Sequence, residues 1–245
     1  MIVIPMAGMS SRFFKAGYTK PKYMLEAHGK TLFEHSVDSF KAYFSSQPFL
    51  FIVKNVFDTP DFVKDKAIEM GIKQFHIVAL DIDTRGQAET VTLGLEKLKA
   101  QGVEYSGSIT VFNIDTFRPE FILPKVSECS DGYLEVFKGE GPNWSFAKPS
   151  SADSTKVVLT AEKKPISNLC STGLYHFKHI EDYLDAYENY LAKPQSEWEK
   201  GELYIAPLYN HLIEKGRDIH YHLIKNDDVI FCGVPSEYEE FKVKL

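Results

Sequence analysis

Apolar residues fall in short unbroken runs separated by amphipathic stretches along the first half of the chain. Residues 2–7 (IVIPMA), 49–54 (FLFIVK), 74–80 (QFHIVAL) and 108–115 (SITVFNID) are too short for buried helices and read as buried strands. Between them, residues 31–44 place Leu32, Ser36, Ser39, Phe40 and Tyr43 at helical spacing. Thr31 stands as an N-cap there, with Glu34 three residues on. Residues 60–70 read as a helix opened by Pro60 and stopped by Gly71. Residues 87–100 (QAETVTLGLEKLKA) read as an amphipathic helix ending before Gly102. This alternation predicts an α/β fold: a mainly parallel sheet with helices on both faces.

The pattern changes beyond residue 130. GYLEVF, WSFAKP, KVVLTAEKK and STGLYHF follow in quick succession, broken by Gly, Pro, Asn and Ser. They predict an antiparallel section that makes the sheet mixed. Helices near 179–192 and 203–215 and strands near 219–224 and 228–232 complete the reading.

Composition narrows the class. In 245 residues, 28 basic side chains face 34 acidic ones, for a net charge of -6. Without a net positive field, nucleic acid is not expected as a partner. A 44% hydrophobic share is that of an ordinary globular chain, so disorder is excluded for most of it. No run of about 18 apolar residues is present, and no membrane span is expected. The start, MIVIPMAGMSSR, lacks the basic region of a signal peptide. Cys129, Cys170 and Cys232 form no CxxC pair, so neither a disulfide framework nor a cysteine zinc site is expected, and the cytoplasm is the natural location.

The loop after the first strand holds the first candidate chemistry, because ligands of open parallel sheets bind at the strands' carboxyl ends. It lacks the spacing of a Walker loop or a GxGxxG loop. It offers Gly8, the hydroxyls of Ser10 and Ser11, and four cations within eleven residues: Arg12, Lys15, Lys20 and Lys22. A solvated polar loop would account for any one of them. Together, on an acidic chain, they point to phosphate. Glycine lets backbone amides approach an anion, Arg12 can grip phosphate oxygens in parallel, and Lys22 supplies a point charge.

AGMSSR followed by PKYML resembles the AGxGxR…PKxL signature of the nucleotidyltransferase family that includes sugar-nucleotide pyrophosphorylases. The resemblance implies transfer of a nucleotidyl group from an NTP to a phosphorylated acceptor, with Ala7, Gly8, Ser10 and Ser11 at the nucleotide and Arg12 and Lys22 catalytic. Met9–Ser10 departs from the family, which has a second glycine here. GQAETV resembles the family's base-reading motif and adds Gly86, Gln87 and Ala88. VFNIDTF resembles its V-x-x-[GN]-D-x motif and makes Asp115 the catalytic carboxylate and magnesium ligand. EKKPISNLCSTGLY resembles the acceptor motif and carries over Glu162, Lys163 or Lys164, Asn168, Thr172, Gly173 and Tyr175. On an extended strand Lys163 and Lys164 point to opposite faces, so only one of them faces the site. CGVPSEYEEF resembles D-x-G-T-P-E-E, but Phe231 stands where the family has an aspartate that commonly holds a second metal. Asp227, Asp228 and Glu202 are the substitutes considered.

The resemblance spans nearly the whole chain. It implies one nucleotidyltransferase domain over 1–245, with 1–128 binding nucleotide and 129–245 binding acceptor, in the nucleotide-diphospho-sugar transferase-like fold. It also implies Mg²⁺ as cofactor and an NTP and a phosphorylated small molecule, such as a sugar 1-phosphate, as substrates, in sugar-nucleotide and polysaccharide biosynthesis. The base, the acceptor and the oligomeric state stay open. Three alternatives remain: a cytidylyltransferase for a non-sugar phosphate such as phosphocholine, a glycosyltransferase with the same type of sheet, and a non-catalytic nucleotide or sugar-phosphate sensor. His220 and His222 share a strand face but lack a third zinc ligand, and Tyr183, Tyr187 and Tyr190 read as a helix face.

Overall fold

The apolar runs become strands buried on both faces, which is why they show no polar alternation. The computed structural model describes residues 1–244. They fold as two compact units interleaved along the chain: one holds Ile2–Asp81, Phe112–Ile122 and the residues from Asp227 onward, and the other holds Met1, Ile82–Val111 and Leu123–Asn226.

In the first unit, Ile2–Pro5, Phe49–Lys54 and Phe75–Leu80 are parallel strands, with Ile2 opposite Phe49 and Phe49 opposite Phe75. Every side chain from Phe49 to Val53 is fully shielded from water. The Thr59–Glu69 helix crosses between the last two strands, with Pro60 in its first turn and Gly71 just beyond its end. The Leu32–Asp38 helix opens with the expected capping box: Thr31 Oγ1 accepts from the Glu34 N–H at 3.2 Å, and Glu34 accepts from the Thr31 N–H at 2.8 Å. It stops short of residue 44 because tertiary contacts compete. Ser39 Oγ accepts from the Arg118 N–H at 2.8 Å, and Phe40 packs edge-on against Phe112 and Phe121.

One helix in this unit was not predicted. Pro235–Val243 buries only Tyr238 and Phe241, too few apolar positions to show a helical period, and they complete a cluster with Phe13, Leu32, Phe117 and Cys232.

In the second unit, Gly132–Lys138, Ser145–Pro149, Val157–Glu162 and Leu169–Phe177 are the expected antiparallel strands. Ile219–Leu223 joins them in parallel with Gly132–Lys138, and this unit's part of the Ile109–Phe112 strand, residues 109–111, lies beside Leu169–Phe177. The Gln87–Ala100 helix has the predicted bounds. On Ile180–Leu191, Tyr183, Tyr187 and Tyr190 form a buried face. The helix expected over 203–215 forms only over Leu208–Glu214, because Leu203 gives both backbone polar groups to Arg85 and Ala88 instead. His220 is held by Thr155 at 2.8 Å and Asp218 at 3.0 Å, and among the described residues no three His, Cys, Asp or Glu side chains gather as a metal cluster. Parallel and antiparallel pairing together make this the mixed-sheet α/β fold that the sequence predicts. No helix among the described residues is long and apolar enough to cross a membrane.

Candidate active site

The signature loop begins where the Ile2–Pro5 strand ends. Ser10, at the position of the family's second glycine, has φ 50°, in the left-handed region glycine favours. A hydrogen bond helps hold it there: Ser10 Oγ accepts from the Lys22 N–H at 3.1 Å. That contact fastens the two halves of the loop across the Ser11–Lys15 helix. Arg12, in the first turn of that helix, is exposed and makes no ion pair or hydrogen bond through its side chain among the described residues. Gly8 and Met9 are exposed too, and Ala7 is half-buried.

Lys22 reaches away from this loop to Asp115. Its Nζ donates to Asp115 Oδ2 at 2.5 Å, with both side chains largely shielded at 19% and 25% exposure. The Ile109–Phe112 strand ends three residues before the expected 115. The turn that follows frees Asp115 to face Lys22 instead of lying in a sheet. The strand pair Thr116–Phe117 and Ile230–Phe231 then brings the C-terminal motif alongside, and Cys232 N–H donates to the Asp115 carbonyl at 2.8 Å. Phe231 is thus a backbone partner of Thr116.

The carboxylate that arrives beside Asp115 is one the sequence reading passed over. A Cβ placed on Gly233 would lie 3.0 Å from Asp115 Oδ2 and 3.6 Å from Glu237 Oε2. Glu237 is fixed by the N–H groups of Gly233 at 2.7 Å and Val234 at 3.1 Å, at the start of the Pro235–Val243 helix. Its position one turn into a helix after Gly and Pro was the available signal. Between these groups the Cys232 thiol is pushed up to about 12, by burial first and then by the charges of Glu237 and Asp115. Asp227 is exposed, and Asp228 offers its carbonyl to Arg118 at 3.3 Å.

The base-reading motif lies in the second unit. Gly86 has φ 153° and abuts the backbone of Leu203, where a Cβ would meet the carbonyl oxygen at 2.4 Å. The Leu203 N–H donates to Arg85 O and the Ala88 N–H to Leu203 O, both at 2.9 Å. The glycine is therefore required by the chain's own packing, and one of the free N–H groups at the helix start is already engaged. Gln87 is half-buried, and Ala88 is fully buried with its carbonyl accepting from Tyr183 at 2.7 Å. Arg85 holds the buried Glu89 and lies 5.4 Å from the centre of the Trp198 ring.

The acceptor motif is brought together only in part. Glu162 ends its strand, is 5% exposed, and accepts from Ser145 Oγ, which lies 3.0 Å from the Tyr175 hydroxyl. Burial raises its pKa above the ordinary 4.5, against the lowering effect of the Ser145 bond. Ser145 escaped sequence reading because its place opposite Glu162 is a matter of strand register. The expected alternation of Lys163 and Lys164 does not apply. Lys163 lies past the strand end at φ 54°, its N–H bonded to Trp144 O at 2.8 Å. Its Nζ donates to the Tyr204 hydroxyl and sits 4.5 Å from that ring's centre, while Lys164 is exposed. Tyr204 had no signal in the sequence. Thr172 Oγ1 donates to Glu135 at 3.2 Å inside the sheet, Gly173 (φ 89°) occupies the irregular stretch of its strand, and Asn168 is exposed with its carbonyl accepting from Gly139 at 3.0 Å. Glu202 is exposed, next to Leu203.

No protein-family model and no curated protein matches the chain significantly. Solved structures do. A Bacillus anthracis protein assigned as a glucose-1-phosphate thymidylyltransferase, in complex with a sucrose, is 18% identical over 98% of this chain and 92% of its own, with a TM-score of 0.75. The inositol-1-phosphate CTP transferase from T. maritima is 14% identical over 98% and 92%, with a TM-score of 0.71. At such identities the likeness is one of fold, the nucleotide-diphospho-sugar transferase-like fold. The nucleoside-diphosphate-sugar pyrophosphorylase from Vibrio cholerae RC9 is 72% identical, covers 100% of both chains and superposes with a TM-score of 0.98. Identity of that order along the whole chain extends beyond fold to family, and the chain belongs to the nucleoside-diphosphate-sugar pyrophosphorylases, which are nucleotidyltransferase enzymes.

Proposed function

We propose that this enzyme moves a nucleotidyl group from an NTP to a sugar 1-phosphate, releasing pyrophosphate in a Mg²⁺-dependent reaction. The observation that carries the reading is the Lys22–Asp115 pair: a cation from the phosphate loop and a carboxylate 93 residues away, held at 2.5 Å. An oxygen of the acceptor phosphate attacks the α-phosphorus, the bond from that phosphorus to the bridging oxygen breaks, and pyrophosphate leaves with the electron pair. The protein contributes positioning and charge neutralisation rather than a covalent intermediate. In the resting pair Lys22 and Asp115 neutralise each other. An incoming triphosphate offers Lys22 an alternative partner, and Lys22 then holds the α-phosphate. Arg12, exposed and without a side-chain partner among the described residues, is available to the leaving pyrophosphate.

The donor set fits Mg²⁺. Asp115 would hold the ion, with Glu237 across Gly233 as the nearby second carboxylate, since Mg²⁺ characteristically uses one or two carboxylates and takes the rest of its shell from water and phosphate. When bound, the ion supplies charge neutralisation at the phosphates. In the second unit, Gly86–Ala88 would contact the nucleotide, Glu162 the acceptor hydroxyls and Lys163 the acceptor phosphate. Three free thiols are consistent with action in the cytoplasm.

The test is to mix the protein with each NTP, Mg²⁺ and a panel of sugar 1-phosphates and phosphocholine, and to follow pyrophosphate. The expected result is stoichiometric release with one NTP and a sugar 1-phosphate. Release with phosphocholine alone would replace the acceptor class. A glycosyltransferase or a sensor would release none.

A further inference from the structure

The two motifs of the second unit share one short piece of chain that neither motif contains. Leu203 is clamped to the Gly86 turn by hydrogen bonds on both sides, at 2.9 Å each, and its backbone leaves no room for a side chain on Gly86. The next residue, Tyr204, holds Lys163 by its hydroxyl and by its ring face. Glu202 is extended and Leu203 is fully buried, while Glu202 and Tyr204, two residues apart, share the other face, where the Tyr204 hydroxyl also donates to the Glu202 carboxylate.

Both ends of the segment are anchored. Before it, the Glu199 N–H donates to Tyr190 at 2.7 Å, Trp198 lies under Arg85, and Lys200 and Gly201 turn the chain at φ 53° and 74°. After it, Ala206 O accepts from Thr160 Oγ1 at 2.6 Å, on the strand that ends at Glu162. A shift of the Gly86 turn therefore reaches Lys163 through two consecutive residues.

We propose that Glu202–Tyr204 is a positioning strap: nucleotide on the Gly86 turn firms Leu203 in place, and Tyr204 thereby holds Lys163 ready for the acceptor phosphate. The inference rests on the roles given above to Gly86–Ala88 and Lys163. Tyr204 is a positioning residue, touching Lys163 rather than substrate. Its consequence is positive coupling between the substrates, equal in size whichever binds first.

Lys163 itself is the reporter, so the identity of the acceptor does not enter. The full-length protein is labelled with a trace of acetic anhydride, with and without α,β-methylene analogues of CTP, UTP, GTP and dTTP, which cannot be cleaved at that position. Labelling of Lys163 is measured by mass spectrometry against its exposed neighbour Lys164. In the parent, the analogue that binds should slow Lys163 labelling about fivefold, the low end of ordinary coupling between sites. Tyr204→Phe keeps the ring and removes the hydroxyl. It should bind the analogue alone as tightly as the parent, show no slowing, and weaken acceptor binding in the presence of nucleotide by the same factor as nucleotide binding in the presence of acceptor. Slowing that persists in Tyr204→Phe means direct shielding and overturns the strap, as does an analogue that binds the parent without slowing. If no analogue binds the parent, the nucleotide reading fails and the strap fails with it.

Discussion

Replacing Gly86 by alanine separates a glycine needed for ligand approach from one needed for packing. The new Cβ would fall 2.4, 2.6 and 2.7 Å from the oxygen, nitrogen and carbon of Leu203. An ordinary carbon–oxygen contact needs about 3.3 Å or more, so roughly 1 Å of movement is required. The atoms in the way belong to the backbone and cannot rotate aside. If Leu203 yields, two hydrogen bonds worth about 1 kcal/mol each are lost. If it holds, overpacking costs about 1–3 kcal/mol. Either way φ 153° adds about 1–3 kcal/mol of strain for a residue with a Cβ. The expected loss is about 2–6 kcal/mol, a fall in Tm of roughly 4–24 °C for a chain of this size. Gly8→Ala is the matched control: nothing lies within 4 Å of that Cβ. It should change stability by less than about 0.5 kcal/mol, and any loss of NTP affinity there reports the approach of the ligand itself. Thermal unfolding of both variants by circular dichroism, with NTP titrations alongside, decides the matter. A Gly86→Ala protein that melts within about 2 °C of the parent would refute the packing argument.

Three further outcomes follow from the site. Arg12→Ala should melt with the parent, since the side chain is exposed and has no partner among the described residues, yet lose about 10²–10³-fold in turnover, the effect of removing one positioned donor; normal turnover would take Arg12 out of the reaction. Calorimetry should find mutual tightening of Mg²⁺ and NTP in the parent and none in Asp115→Asn, and tightening that survives would move the metal first to Glu237. Glu162 has its pKa raised by burial, so the folded state holds that proton more tightly than the unfolded chain does. Its stabilising effect is complete below about 4.5 and is lost as pH rises through the folded value. Glu162→Gln should accordingly resist urea better than the parent at pH 7.5, with the gap closing towards pH 4; a gap independent of pH would contradict the assignment.

The sequence by itself determined the elements whose cause is local. Runs such as 49–54 are strands because they are apolar throughout, the Thr31–Glu34 box starts a helix because both partners lie within one turn, and the bounds of Gln87–Ala100 follow from its own period. Lys22 and Asp115 stand out in separate motifs of the sequence, where the cation expected at Asp115 is Mg²⁺; that Asp115 meets Lys22 is a tertiary fact. Tertiary structure decided whatever depends on residues far apart in the chain. The 203–215 helix gave way at its start because Leu203 found better partners at Arg85 and Ala88. Lys163 rather than Lys164 entered the cluster because the strand stops at Glu162 and a left-handed residue follows, which no alternation rule foresees. Ser145 met Glu162 through strand register, Tyr204 met Lys163 through a loop, and Glu237 came beside Asp115 through a strand pairing over a hundred residues distant in sequence. Local periodicity fixes which face a residue occupies on its own element; what waits at that face is set by how the rest of the chain packs.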